Sequence, residues 1–229
     1  MTTNGTGGRN CVAAGDSLAA RLVLDPSLAL EAIARFAARL DREDYKALVE
    51  ECSALRLARC GRGAPCFPNL PAWDAYRVFA NQVLTAGLPT SAVPVESLHR
   101  PWHDGAQGKG EGPHTVFSAQ VGFYMGEAAV DARAVLDELG VETPESFRAT
   151  PDHISLLIEA ALLLWEKGDS GKFHAFAHEH FAWFDAYADR LDERASRISA
   201  TAKPALAAWA DMVAAIPGFI AVLDGAAKA

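Results

Sequence analysis

The amino-acid sequence predicts an all-α protein: a single helical-bundle-like domain of about eight to ten helices with a long central loop. Apolar residues recur at three- and four-residue spacing in long segments, for example at 25–40 and 170–198, which is the periodicity of helices with one buried face. Convincing runs of alternating apolar and polar residues, which would indicate strands, are absent. The 229 residues suffice to bury a full core.

The first half of the chain divides into short helical segments. Residues 1–15 are expected to be disordered, and residues 16–229 to form the helical domain. Helices are predicted at 16–24, at 25–40, at 41–59 and, after a Gly/Pro-rich break at 61–71, from residue 73 onward.

A long irregular segment, residues 86–113, follows these helices. It contains Pro89, Pro94, Pro101 and five glycines. A loop of this length inside a compact protein is usually functional. It is also the predicted seam between a first and a second group of helices. Residues 114–126 are ambiguous between helix and extended chain.

The second half predicts longer helices. One covers 127–139 and stops at Gly140, with Val130, Ala134, Val135 and Leu139 facing inward. The next begins at Pro151 after a Thr150 cap and ends at Gly168. Another is expected from 170 to 198. Pro204 opens the last helix, which Pro217-Gly218 should interrupt.

Charge and targeting signals restrict the function classes. The formal net charge is −8, which argues against binding of nucleic-acid phosphates and is compatible with a cationic partner. Residues 127–193 carry fifteen acidic and only five basic side chains. No secretory leader is visible, and no run approaches the roughly 20 uncharged residues that span a bilayer. With few cysteines for its length, the protein is expected to be cytoplasmic.

No tightly bound metal or cofactor is expected. The four cysteines match no CxxC pattern. His174 and His178 stand at i and i+4, which is a metal-ligand spacing. No HExxH frame surrounds them, however, and surface or packing roles explain these histidines better.

Asp152 and His153 lie at the mouth of a nearly all-apolar helix. Asp152 is expected in the first turn, where free N–H groups favour a carboxylate. Three interpretations remain open for this pair: a cap for the helix, a carboxylate that binds a basic peptide, or part of a metal-dependent hydrolase. Ser97 is only a weak candidate for a nucleophile.

Four segments resemble the TorD/DmsD family of redox-enzyme maturation chaperones. Pro151-Asp152-His153-Ile154 with Ile158-Glu159 resembles its "P-D-H-I/L…L-E" signature, and Pro94-Val95-Glu96-Ser97 resembles its "P-Y/W-x-S" loop. Met125-Gly126-Glu127 followed by Arg133 resembles its "M-G-E…V-R" segment, and Glu179-His180-Phe181 its "E-H-L…W" stretch. Together these segments cover about residues 73–195.

The resemblance implies a cytoplasmic, all-helical chaperone rather than an enzyme. Such a protein binds the twin-arginine signal peptide and the apoenzyme of a molybdopterin oxidoreductase of the DMSO or TMAO reductase type. It assists cofactor insertion and delays export. A homodimer formed by domain swapping is compatible with this interpretation. The residues assigned to signal-peptide binding are Asp152, His153, Pro94, Ser97, Phe79, Glu127 and Glu159. The alternatives are a helical scaffold or regulatory protein without a peptide role and, less favoured, a hydrolase that uses Asp152 and His153.

Overall fold

Helices make up most of the chain that the computed structural model describes, which is residues 26–59, 67–101 and 121–227. They are α1 (Pro26–Ala37), α2 (Arg42–Arg59), α3 (Trp73–Gln82), α4 (Glu127–Leu139), α5 (Ile154–Glu166), α6 (Ser170–His180), α7 (Phe184–Ala195) and α8 (Lys203–Ala227). Short 3-10 helices occur at Glu96–Leu98 and Glu145–Phe147. These ranges contain two isolated β-bridges but no strand, which confirms the all-α prediction.

Polar side chains and glycine define several helix ends. The Asp41 carboxylate accepts the backbone N–H groups of Glu43 and Asp44, each at 2.9 Å, and so caps α2. Asp169 caps α6 in the same way, through Lys172 N–H at 3.0 Å. Gly140 ends α4 in the left-handed region, with φ of 74°, a conformation that glycine adopts without steric cost.

The centre of the core is aromatic. The Phe36 ring on α1 packs edge-on against Tyr76 on α3, with 4.9 Å between centroids, and stacks on Trp209 of α8 at 5.6 Å. All three side chains are fully buried. This cluster therefore joins helices from both ends of the chain into one core.

Helices from both sides of the 86–113 segment share this core. Helix α1 packs against α5 and α8. The predicted seam is therefore spanned by packed helices, although the chain positions 102–113 lie outside the described residues. The predicted disorder of residues 1–15 also lies outside them.

Besides the predicted start of α5, three details of the predicted helices are wrong. The helix expected over 170–198 divides at 181–183, where Trp183 is buried and its indole N–H donates to the His180 carbonyl at the end of α6 at 2.8 Å. Helix α8 runs through Pro217: the ring removes one N–H donor, while the buried neighbours Ile216 and Phe219 hold the helix in the core.

The third error is the orientation of α4. Val130 is 58% exposed, and the buried face consists of smaller residues with one leucine: Ala128, Ala129, Ala132 and Leu136. The small side chains let α4 approach α5 and the 96–98 helix. Hydrophobicity alone favoured valine as the inward residue, but close helix packing favours alanine.

Helix α8 is more apolar than the sequence interpretation allowed. By length and composition, residues 203–225 could cross a membrane, with a mean hydropathy of 1.9. Trp209, Met212, Ile216 and Phe219 of α8 are fully or almost fully buried in the core. A core helix passes the same test, so α8 is weak evidence for a membrane span.

We predict that Tyr187→Phe lowers the free energy of unfolding by about 1–3 kcal/mol, the usual cost of unpaired buried groups. The Tyr187 hydroxyl accepts the Trp209 indole N–H at 2.7 Å and donates to the Ala92 carbonyl at 3.0 Å. Removing it leaves both partners buried without this bond. Urea denaturation measures the effect. Tyr124→Phe, at a 40% exposed position, is the matched control, and an equal loss there would contradict the explanation.

Candidate functional site

A buried junction joins the 94–98 loop to the start of α5. Val95 and His153 form an antiparallel bridge. The Ile154 N–H donates to the Pro94 carbonyl at 2.9 Å, and the Glu96 N–H donates to the Asp152 carbonyl at 3.1 Å. Because these backbone groups pair with the loop, α5 begins at Ile154 and not at Pro151 as predicted. The two segments that carry the "P-x-x-S" and "P-D-H" resemblances therefore meet.

Asp152 holds this junction together. Its side chain is fully buried, and Oδ2 accepts the Ser97 N–H at 2.7 Å. Among the described residues neither Asp152 Oδ1 nor Ser97 Oγ has a hydrogen-bond partner. A buried carboxylate needs such bonds to offset the loss of water. Asp152 thus holds the loop in place. It precedes α5 in the chain and does not lie in the first turn of the helix.

His153 is the N-cap of α5. Its Nδ1 accepts the Ser155 N–H at 3.2 Å, so the neutral ring carries its proton on Nε2. The ring is 6% exposed and packs against Phe147, with centroids 4.8 Å apart. Burial lowers the pKa of His153 to about 3. Such an imidazole is a poor general base near neutral pH, which disfavours the hydrolase interpretation.

An ionic cluster lies beside the junction and ties it to the end of α6. Arg100 contacts Glu96 Oε1 at 2.6 Å and Glu179 Oε1 at 2.7 Å. His180 Nδ1 lies 2.7 Å from Glu96 Oε2. Glu96 is fully buried, and burial raises its pKa, whereas His180 and Arg100 act to lower it. Arg100 lowers the pKa of the more exposed Glu179.

The sequence analysis gave no role to this cluster. Glu96, Glu179 and His180 stood inside segments that were matched to the family, but the Glu96–His180 contact spans 84 residues of chain and the Arg100–Glu179 contact spans 79. The Glu96–Arg100 spacing of four was the only local signal. Contacts of this kind depend on how the helices pack.

The residues assigned to peptide binding fall into three groups. Pro94, Ser97, Asp152 and His153 come together at the junction and are buried. Phe79 lies in the aromatic core, 5.8 Å from the Phe36 ring. Glu127, at the start of α4, and Glu159, on α5, are exposed. In this conformation only the last two present carboxylates to a ligand.

Other candidates for metal binding are not assembled into a site in the described part of the chain. No group of three or more His, Cys, Asp or Glu side chains there is arranged to hold a metal ion. His174 lies 3.5 Å from Asp224. Cys52 is buried, and Cys11, Cys60 and Cys66 lie outside the described residues.

Grooves on the helix surface offer binding space. One of about 410 Å³ lies between α1 and α5 and is lined in part by Glu159 and Phe147. Another of about 630 Å³ lies between α4 and α6 and reaches Glu179 and His180. Both adjoin the junction, the first through Phe147 and the second through the ionic cluster.

We predict that Asp152→Ala lowers the free energy of unfolding by about 1–3 kcal/mol, because the buried Ser97 N–H loses its acceptor. Asp152→Asn retains an acceptor and removes a buried charge, so its loss should be smaller. Ser97→Ala is the control, since Ser97 Oγ makes no hydrogen bond. Denaturant titration of the three variants checks the order. A Ser97→Ala variant as unstable as Asp152→Ala would contradict this role.

We predict that His153 makes the protein less stable in acid. Burial lowers its pKa in the folded protein to about 3, from the ordinary 6.5 of an exposed imidazole. Between these values the unfolded chain binds a proton that the folded chain does not, so stability falls as the pH falls. A full proton contributes about 1.4 kcal/mol per pH unit. His153→Asn still caps the helix and cannot titrate, so denaturation series from about pH 6 to about pH 4 should show a shallower slope.

The exposed His178→Asn is the matched control for this series. It should keep the pH dependence of the parent protein. An unchanged slope in His153→Asn would show that the buried ring is not the group that resists protonation.

Comparison with known proteins agrees with this geometry. The model of a family described as nitrate reductase delta subunit matches residues 72–212, a range that contains the junction and the ionic cluster. No curated protein and no solved structure matches the chain significantly. The family match covers more than half of the 229 residues. The chain therefore belongs to the nitrate reductase delta subunit family, the NarJ/TorD-type chaperones of molybdoenzyme maturation.

Proposed function

We propose that the protein is a cytoplasmic chaperone for a molybdopterin-containing oxidoreductase of the DMSO or TMAO reductase type. It binds the twin-arginine signal peptide and the apoenzyme, assists cofactor insertion and delays export. The observation that carries this proposal, within the family, is the convergence of the matched segments. Residues 94–97 and 152–153 meet at the buried junction, His180 contacts it through Glu96, and α4 packs against the 96–98 helix.

The chemistry of the surface supports a basic, apolar ligand. A twin-arginine leader carries two guanidinium groups followed by an apolar stretch, and it needs carboxylates beside an apolar groove. Residues 127–193 have a large excess of acidic side chains. Two grooves adjoin the junction and its ionic cluster, and the lining of the groove between α1 and α5 is mainly apolar. An acidic surface also favours fast encounter with a cationic peptide.

The assigned residues take different roles in this proposal. Glu127 and Glu159 are exposed and contact the peptide. Asp152 and His153 are buried and hold the loop and α5 in position. Pro94 and Ser97 contribute the backbone groups of the loop to these contacts. Phe79, on α3, packs against Phe36 in the aromatic core.

We predict that a twin-arginine leader peptide binds the folded protein and that a Lys-Lys version binds more weakly, because lysine cannot form the bidentate contact of arginine. Isothermal titration calorimetry measures both affinities. A scrambled peptide of equal charge is the control. If the leader does not bind, a helical scaffold without a peptide role is favoured, and equal binding of all three would show that only net charge is recognised.

Asp152→Asn separates direct contact from positioning. If Asp152 pairs with a peptide arginine after a rearrangement, the variant should bind roughly ten- to a hundred-fold more weakly, since about 1.4 kcal/mol equals one decade. If Asp152 only positions the loop, Asp152→Asn should bind nearly as the parent does. Asp152→Ala should then lose stability and affinity together. Melting curves of the same samples distinguish the two results.

A further inference from the structure

The groove between α1 and α5 has a fixed apolar floor. Leu156 and Ile158 line it and are almost fully buried. The Ser155 hydroxyl donates to the Ala34 carbonyl at 2.6 Å and links the two helices beneath it. Phe147 closes one side and packs on His153. The groove is therefore formed before any ligand arrives, and it adjoins the buried junction through the Phe147–His153 contact.

The rim of this groove is negatively charged. Glu159 and Glu166 on α5 are exposed, and Glu31 lies on the α1 side. The one basic residue in the lining, Arg35, already forms a 2.6 Å salt bridge with Glu51, which is not part of the lining. Glu159 and Glu166 are seven residues apart, about 10 Å along a helix and on the same face. The groove thus combines an apolar floor with carboxylates that a cation can reach.

The larger α4/α6 groove is less suited to a cation. Its lining includes Lys167 and Lys172, and Lys172 bridges Glu138 at 2.5 Å and Asp169 at 3.9 Å. Its Glu179 carboxylate is held by Arg100. The charges there are largely paired within the protein, whereas the α1/α5 rim keeps two glutamates exposed.

We propose that the α1/α5 groove is where the twin-arginine peptide binds, with its arginines at Glu159 and Glu166 and its apolar residues along the floor. This inference rests on the proposed peptide role and adds its location. It assigns a function to Glu166, which the sequence analysis did not single out. It also explains the positioning role of Asp152 and His153, because Phe147 connects the junction to the groove wall.

The test removes the two rim charges. Glu159→Gln/Glu166→Gln should weaken binding of a twin-arginine leader at least about tenfold in calorimetric titration, with an unchanged melting temperature. The matched control is Asp189→Asn/Asp192→Asn, the same change in net charge on exposed positions of α7. The control should bind within about twofold of the parent. Raising the ionic strength should weaken the parent more than the double glutamine variant.

A second variant tests the floor without touching charge. Ala38 lines the groove and is partly exposed, so Ala38→Trp places an indole in the space that the peptide would occupy. Peptide binding should be lost while the melting temperature and helical circular dichroism stay close to those of the parent.

The outcomes separate this inference from the proposed function. If the parent binds no twin-arginine leader, the peptide role is wrong and the groove assignment is wrong with it. If the parent binds and both groove variants bind equally well, the role stands and the location is wrong. If the α7 control loses as much affinity as the rim variant, general electrostatic attraction explains the binding and the specific groove is overturned.

Discussion

The buried contact between Asp152 and the Ser97 amide holds the 94–98 loop against the start of α5. The two residues are 55 positions apart in the chain, and the hydrogen bond between them is 2.7 Å long. The Asp152 side chain is fully buried. Two backbone hydrogen bonds flank it. A carboxylate in such a place is tolerated only when protein donors replace water. This pairing determines the residue at which α5 begins and the direction of the helix axis.

The neighbouring ionic cluster serves geometry more than stability. Burying Glu96 with Arg100 and His180 has a desolvation cost that their attraction only partly offsets. The cluster nevertheless permits few alternative packings of these segments, because each charged group needs its partner at one position. The 96–100 segment, α6 and the junction are thereby held in one relative arrangement. A chaperone surface that must recognise one peptide benefits from being formed in advance, since less entropy is lost on binding.

Buried and exposed acidic residues have different roles in this arrangement. The buried acids at Asp152 and Glu96 shape the loop and α5. The exposed carboxylates on α5 are solvated. They can therefore exchange bound water for a guanidinium group at a small cost in free energy. The same helix is therefore apolar where it forms the core and groove floor, and acidic at Glu159 and Glu166. Its sequence resembles a core helix with two charged exceptions.

The sequence by itself determined the helical class, most helix positions and the family. Local rules suffice for these, because 3.6-residue periodicity and the stop at Gly140 act within a few residues. The tertiary structure decided which side chains are buried. Val130 faces solvent while alanines pack, and Asp152 lies inside the protein and not at a rim. Likewise, the pairing of Glu96 with His180 and the groove beside Glu166 join segments distant in the chain. Such contacts depend on the packing of whole helices, which no local pattern encodes.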